Sequence, residues 1–488
     1  MSFSLTTGKR QQGLVLALSV LFVLINALFV YNEFYLFSLA PVALLLVWLA
    51  LFRLDVLLWV IVACTPLSLS LEALEVGADI NMYLPTEPLM FGAMLVFVIR
   101  SLYQGNYPRK ILKHPITLAI IANLVWIGFT SITSEMPTVS FKFLLSRLWF
   151  VFTFYFLVML FFRKEKNMFR FPWLYAIPMI VVIAYTVIRH AGMGFGDKPA
   201  HWVMQPFFKD HTSYGAMLVF FYPFLVGALF FKRLPIYLKV GCGIVLLIFS
   251  IGVVFSYTRA AWVSLAGSGL IFLAMYFKIH FRWLALVAGV VLVGFFANQT
   301  AIIQNLEKNK QDSSEELAEH VQSITNVATD ASNLERINRW SCAIDMFKER
   351  PFWGWGPGTY MFLYAPYQNS QDLTIISTNL GDMGNAHSEY LGPLSESGLF
   401  GMITMLILLV VVCTTAVRVY NQLPPGDLRI LVVTVFLGLV TYFTHGVLNN
   451  YLDTDKASVP FWGCIALLVA VDLFFNEEQE KKRQLEDA

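Results

Sequence analysis

The residues best equipped for chemistry fall in short strings late in the chain. Asn385-Ala386-His387-Ser388-Glu389-Tyr390-Leu391, running on through Glu396 to Gly401, sets a histidine, two carboxylates and a tyrosine side by side. A neutral imidazole can take a proton from a hydroxyl near neutral pH, which an acceptor alcohol needs in order to attack an anomeric carbon. The same string would serve equally as a polar helix cap at a membrane interface. Arg259, in Ser256-Tyr257-Thr258-Arg259-Ala260-Ala261-Trp262, offers a permanently charged fork suited to phosphate oxygens, the alternative being a snorkelling interfacial arginine. Arg336 and Arg339 lie within one helical turn on the polar side of a helical stretch. With Arg259 they could clamp a diphosphate, or they could face solvent with Glu335 as a partner.

Arg147 stands inside an apolar run, Leu144-Leu145-Ser146-Arg147-Leu148-Trp149, where a charge needs a partner or a wet cavity. It is therefore a candidate binding residue, or a packing partner for a carboxylate such as Glu87. Asp210 and His211 precede another apolar run and could line the same cavity, with a helix-capping role the simpler reading for Asp210. Trp353, Trp355 and Tyr360 could stack on sugars or anchor the chain at an interface. The eight histidines are scattered, with no HxxxH or HExxH spacing, so no metal site is expected. No GxxxxGK[ST] loop is present either, which leaves nucleotide hydrolysis without a seat and requires an already activated substrate.

The elements that must hold these residues are membrane helices. Of 488 residues 57% are hydrophobic and only 14% charged, a balance that a water-soluble core cannot hide. The net charge of +2 carries no nucleic-acid signal. Cys64, Cys242, Cys413 and Cys464 lie in apolar runs and Cys342 stands alone in a polar stretch, so no disulfide framework follows. Apolar runs occupy 13–31, 34–51, 54–70, 84–102, 115–133, 142–162, 173–190, 212–231, 236–256, 258–277, 282–298, 397–419, 427–446 and 457–475. Most are long enough to cross about 30 Å of hydrocarbon as helices, giving roughly 12–14 spans with two pairs tightly joined. Lys9 and Arg10 ahead of the first run resemble a signal peptide, but the run is long and has no cleavage site, so it reads as the first span.

Positive charge collects in alternate loops: Arg53, Arg100 to Lys113, Arg163 to Arg170, Lys232/Arg233, Lys278/Arg282, Arg418/Arg429 and Lys481 to Arg483. Those loops are expected on the cytoplasmic side, with both termini. The other loops are acid-rich, as at Glu72, Glu75 and Asp79, and face outward. The expected fold is thus an all-α polytopic membrane domain over 1–488, interrupted by one large, partly helical periplasmic loop at 299–396. In that loop Ser332 and Glu335 suggest a capping box. Leu334, Ile337, Ala343, Met346 and Phe347 suggest the apolar face of an amphipathic helix on the membrane surface, ending at Pro351. The FWGWGPGTY stretch after it forbids regular helix.

Three pieces in this order, SYTRAAW, Arg336 to Trp340 followed by DMFKERPFWGWGPGTY, and NAHSEYLGPLSESGLFG, resemble the O-antigen ligase family, which shares this region with O-antigen polymerases and protein O-oligosaccharyltransferases. The resemblance covers about residues 210 to 450. It implies a metal-independent, inverting glycosyltransferase of the inner membrane with no cofactor. The donor would be an undecaprenyl diphosphate glycan, and the acceptor lipid A-core or another glycan. His387 matches the family's essential histidine, and Arg259 and Arg336 match arginines that hold the donor diphosphate. A lipid-linked glycan transporter without chemistry is the rival from another class; it would place charges along a midplane path.

Overall fold

The computed structural model describes residues 9–71, 82–105, 107–279, 331–369 and 384–476. It divides into two compact units, Met1–Leu57 and Leu58–Ala488. The 282–298 run, the charged segment before Ala331, Glu72, Glu75 and Asp79 lie outside the described residues.

In the first unit, α1 (Lys9–Tyr31) and α2 (Ala40–Phe52) are joined by a 3-10 turn at Tyr35–Leu39. Phe29 and Phe37 meet across that turn with ring centroids 4.6 Å apart. None of α2 is buried, although it is apolar throughout, which fits a helix whose solvent is lipid. α3 (Leu54–Cys64) runs across the division between the units.

The second unit is a helical bundle with one two-residue hairpin, in which Leu69 pairs with Leu84 and Ser70 with Tyr83. Its long helices are α4 (Thr86–Gln104), α5 (Pro115–Ile132), α6 (Pro137–Phe161), α7 (Glu165–Ala191), α8 (His211–Ala228), α9 (Ile236–Phe255) and α10 (Arg259–Tyr276). After the large loop come α12 (Leu391–Gln422), α13 (Asp427–His445) and α14 (Asp455–Val471), and within the loop lies α11 (Ala331–Glu349). Ten described helices are long and apolar enough to cross a membrane. The second and third apolar runs form shorter helices, Phe37–Phe52 and Leu54–Leu67. The chain is an all-α, multi-pass membrane protein.

α14 is buried along its whole length, and α8 and α13 pack against each other beside it. Small residues permit this. A Cβ at Gly438 would come within 2.5 Å of the Phe220 carbonyl, so α13 and α8 approach backbone to backbone. α6 carries a π-helical segment at Phe152–Leu157 that is packed against α4 and α14. α7 begins eight residues before the expected 173, at Glu165, and carries Pro172 and Pro178 inside it.

The helices share two ends. At one end Asp427 accepts from the backbone N–H of Lys232 and Arg233, Arg233 also reaches Glu165 at 2.5 Å, and Asp472 receives Arg418 at 2.6 Å. The other end gathers the starts of α8, α10, α12 and α14 and the close of α13, and there the candidate residues meet.

Candidate active site

The large loop is built onto the bundle by an interlock of backbones. Trp355 N–H donates to Ser395 O at 3.1 Å, Gly356 N–H to Glu396 O at 2.7 Å, and Leu399 N–H to Pro351 O at 2.9 Å. α12 consequently begins at Leu391, earlier than the expected 397, and is broken at Gly398, where φ is +69°. A Cβ there would sit 2.3 Å from the Phe352 carbonyl oxygen, and one at Gly354 (φ +66°) would sit 2.4 Å from the Glu396 carbonyl. Only glycine suits this left-handed geometry at so close an approach.

α11 does not spend its apolar face on the membrane. Cys342, Ala343 and Met346 are fully buried against Tyr360, Tyr364 and Ala386, so the loop has its own small core. The helix starts at Ala331, ahead of the expected cap at Ser332, and Glu335 is engaged by Arg339 Nε at 2.7 Å. Arg339 was expected on the polar side; it is 4% exposed and its guanidinium lies 3.9 Å over the Tyr364 ring. Tyr360 donates its hydroxyl to the Arg339 carbonyl at 2.7 Å and stacks on Tyr364. Trp355 donates Nε1–H to Met346 O at 3.0 Å under the Arg350 guanidinium, which holds the end of α11. Trp353 instead stacks on Trp126 at 5.5 Å, where α5 ends.

His387 occupies a left-handed position, φ +46°, with its N–H bonded to Asn385 Oδ1 at 3.0 Å and its carbonyl accepting from Trp340 Nε1–H at 3.4 Å. Burial pushes the imidazole pKa down to about 4, and the charges of Arg336 and Arg339 push the same way. The ring is therefore neutral at physiological pH. Arg336, on the half-buried side of α11, donates Nε–H to Leu448 O at 3.3 Å, and its charge also acts on His211 and His445. Asp210 caps α8, accepting from Ser213 N–H and Thr212 Oγ1–H at 2.7 Å each. Burial raises its pKa, but these hydrogen bonds outweigh that and hold the carboxyl below its ordinary range. His211 stacks on His201 at 4.2 Å and its carbonyl accepts from Thr258 Oγ1–H at 2.8 Å. Arg259 follows Thr258 directly, at the start of α10, so it enters the same end of the bundle.

The other side of the 385–389 segment faces a cavity of about 100 Å³ lined by Arg147, Tyr360, Asn385, Glu389, Glu396 and Asp453. Arg147 does not pair with Glu87; it forms an ion pair with Asp453 at 2.9 Å. Glu389 is buried, and one of its carboxylate oxygens accepts from the Tyr442 hydroxyl at 2.6 Å, Tyr451 N–H at 2.7 Å and Leu452 N–H at 2.9 Å. Burial and the nearby Asp453 raise its pKa, while Tyr442 and Arg147 oppose the rise. Tyr390 donates its hydroxyl to Phe443 O at 2.9 Å and so ties this segment to α13.

The fold thus brings His387, Arg336, Asp210 and His211 to one side and Arg147 with Glu389 to the other, and it commits Arg339, Trp355 and Tyr390 to internal contacts. Residues 244–406 match the O-antigen ligase family. That region spans most of α9, all of α10 and α11, and the loop with its interlock, and it includes Arg259, Arg336 and His387. The match supports a glycosyl-transfer role in the assembly of O-antigen or a related polysaccharide. No curated protein matches the chain. The O-antigen ligase region leaves out Arg147, Asp210, His211 and Asp453, which the fold adds from flanking helices.

Asp453 was missed from sequence, as were Tyr442, His445 and Tyr451. The signal was available: Asn449-Asn450-Tyr451-Leu452-Asp453-Thr454-Asp455-Lys456 is a second polar string at a helix entry, like the one holding His387. Glu87 and Asp455 sit at the head of α4 and α14. Asp455 accepts from Ser68 and Thr86, and Lys456 donates to Thr65 O at 2.6 Å and Ser68 O at 2.8 Å. Among the described residues no group of His, Cys, Asp or Glu is placed to hold a metal ion.

Proposed function

We propose that this chain transfers a glycan from an undecaprenyl diphosphate carrier to an acceptor hydroxyl at the periplasmic face of the inner membrane, most simply joining O-antigen to lipid A-core. What supports the reading is that His387, inside the matched region, is held neutral at physiological pH by burial and by the nearby charge of Arg336. The imidazole removes the acceptor's proton as its oxygen attacks the anomeric carbon from the face opposite the leaving diphosphate, which inverts that carbon. Arg336 and Arg259 stabilise the negative charge that builds on the diphosphate as the glycosidic bond breaks. The basic loops at the opposite end of the bundle support a periplasmic orientation for the site, by the excess of Lys and Arg on cytoplasmic ends.

The test is glycan transfer in membranes carrying His387→Ala at normal expression. Loss of transfer with donor binding retained is expected; full activity would remove His387 from the reaction. Surface-polysaccharide gels from a deletion strain then separate acceptors. Bare core argues ligation, a single repeat on the core argues polymerisation, and intact lipopolysaccharide with unglycosylated secreted protein argues protein glycosylation.

A further inference from the structure

At the end of the bundle remote from His387, α5, α12 and the π turn Asp472–Asn476 enclose a groove of about 570 Å³. Lys110, Lys113, His114, Thr414, Arg418 and Asp472 supply its polar lining. Three cations, Lys110, Lys113 and Arg418, face one carboxylate, and that carboxylate is already engaged by Arg418 at 2.6 Å and His114 at 3.1 Å. Lys110 is held in place: its Nζ donates to Leu473 O at 2.8 Å and lies 4.7 Å over the Phe474 ring. The groove therefore keeps an excess of positive charge in a shaped, partly rigid recess.

Its surroundings are apolar. Leu118 on α5 is 55% exposed, and Val410 and Val417 on α12 are 52% and 37% exposed, all leading from the recess along the outside of the bundle. A cationic recess opening onto an outward apolar wall matches an amphiphile whose phosphate sits at the helix ends and whose chains lie along the helices. A soluble anion would use the recess but gain nothing from the wall.

We propose that this groove binds the headgroup phosphate of an anionic phospholipid between Lys110, Lys113 and Arg418, with the acyl chains lying against α5 and α12. The site is distinct from the proposed transfer centre, and its occupancy does not depend on that reaction.

The experiment uses the full-length protein in neutral detergent, with retained lipid counted by native mass spectrometry. Phosphatidylglycerol, phosphatidylcholine of the same chain length and inorganic phosphate are compared at matched concentration. Phosphatidylglycerol should be retained about tenfold better than phosphatidylcholine, and Lys110→Ala/Lys113→Ala should lose that preference. The His387→Ala protein should keep it, which separates this site from the transfer reaction. If the double variant does not fold, Lys113→Ala alone makes the comparison, since Lys113 is exposed. Equal retention of the two lipids, or an unchanged preference in the folded variant, overturns the proposal. Displacement of the lipid by inorganic phosphate at equal concentration also overturns it, because the recess would then be a simple anion site.

Discussion

The guanidinium of Arg147, from the middle of α6, meets the carboxylate of Asp453, from the turn before α14, at 2.9 Å in the wall of the cavity behind the His387 segment. Arg147 is 11% exposed at its side chain and Asp453 45%, so the pair has one enclosed partner and one facing open space. Deleting Asp453 strands a charge that has little water; deleting Arg147 leaves a carboxylate that retains some.

The two single changes should therefore differ. Asp453→Ala should lower the melting temperature more than Arg147→Ala. A double-mutant cycle should give a coupling of about 1 kcal/mol, reduced from the buried-pair range by the exposure of Asp453. A coupling near zero would show that the pair does not hold the cavity wall.

The pH dependence follows from His387. Its imidazole is lowered from the ordinary 6.5 to about 4. Transfer that needs the neutral ring should stay level from pH 8 to about 5 and fall only as pH drops toward 4. For stability, the unfolded chain takes up this proton near 6.5 and the folded one only near 4. The His387 contribution is therefore fully present above about 6.5 and is lost as pH falls through that window to about 4. Melting temperatures across pH 4 to 7 should show the parent losing stability relative to His387→Gln as pH falls; parallel curves would count against the burial of this ring.

Much of the fold could be read in advance, because a span must satisfy its own backbone and so announces itself by composition alone. The strings around His387 and Arg259 were visible for the same reason, as polar residues at the mouths of apolar runs. The role of Arg339 was not. On a helical wheel Arg336 and Arg339 are neighbours, yet the Tyr360–Tyr364 stack covers Arg339 while Arg336 reaches Leu448 O, and those tyrosines lie about twenty residues downstream. Asp453 was invisible as a partner for Arg147 because the two are 306 positions apart.

Glu389 gives a test that separates charge from hydrogen bonding. One oxygen accepts three donors, and an amide oxygen at the same position can accept them as well. Glu389→Gln should stay close to the parent in thermal stability. Glu389→Ala should cost roughly 3 kcal/mol or more, because Tyr442, Tyr451 and Leu452 would each lose a buried acceptor. If Gln stabilises the fold as well as Glu but transfer falls, the negative charge itself serves the reaction; equal melting of the Ala and Gln variants would mean water replaces the carboxylate.

The interlock between the large loop and α12 makes the sharpest demand on residue type. At Gly398 a methyl group would collide with the Phe352 carbonyl at 2.3 Å, on a backbone whose φ of +69° already disfavours alanine. Strain of that kind costs about 1–3 kcal/mol before the collision is counted, and relief requires Pro351 to Gly354 to move. Those residues lead into Trp355 and Tyr360, which fix the end of α11 and the Arg339 carbonyl, so the displacement reaches the helix that carries Arg336. Gly398→Ala should abolish transfer and raise protease sensitivity in the loop even where the membrane helices still assemble. The control is Gly269→Ala on α10, where no atom lies within 4 Å of the new methyl and the backbone is helical. That change should leave transfer intact and stabilise the helix by up to about 1 kcal/mol. Equal tolerance of the two substitutions would mean that the loop is not locked to α12 as the hydrogen bonds from Trp355, Gly356 and Leu399 require.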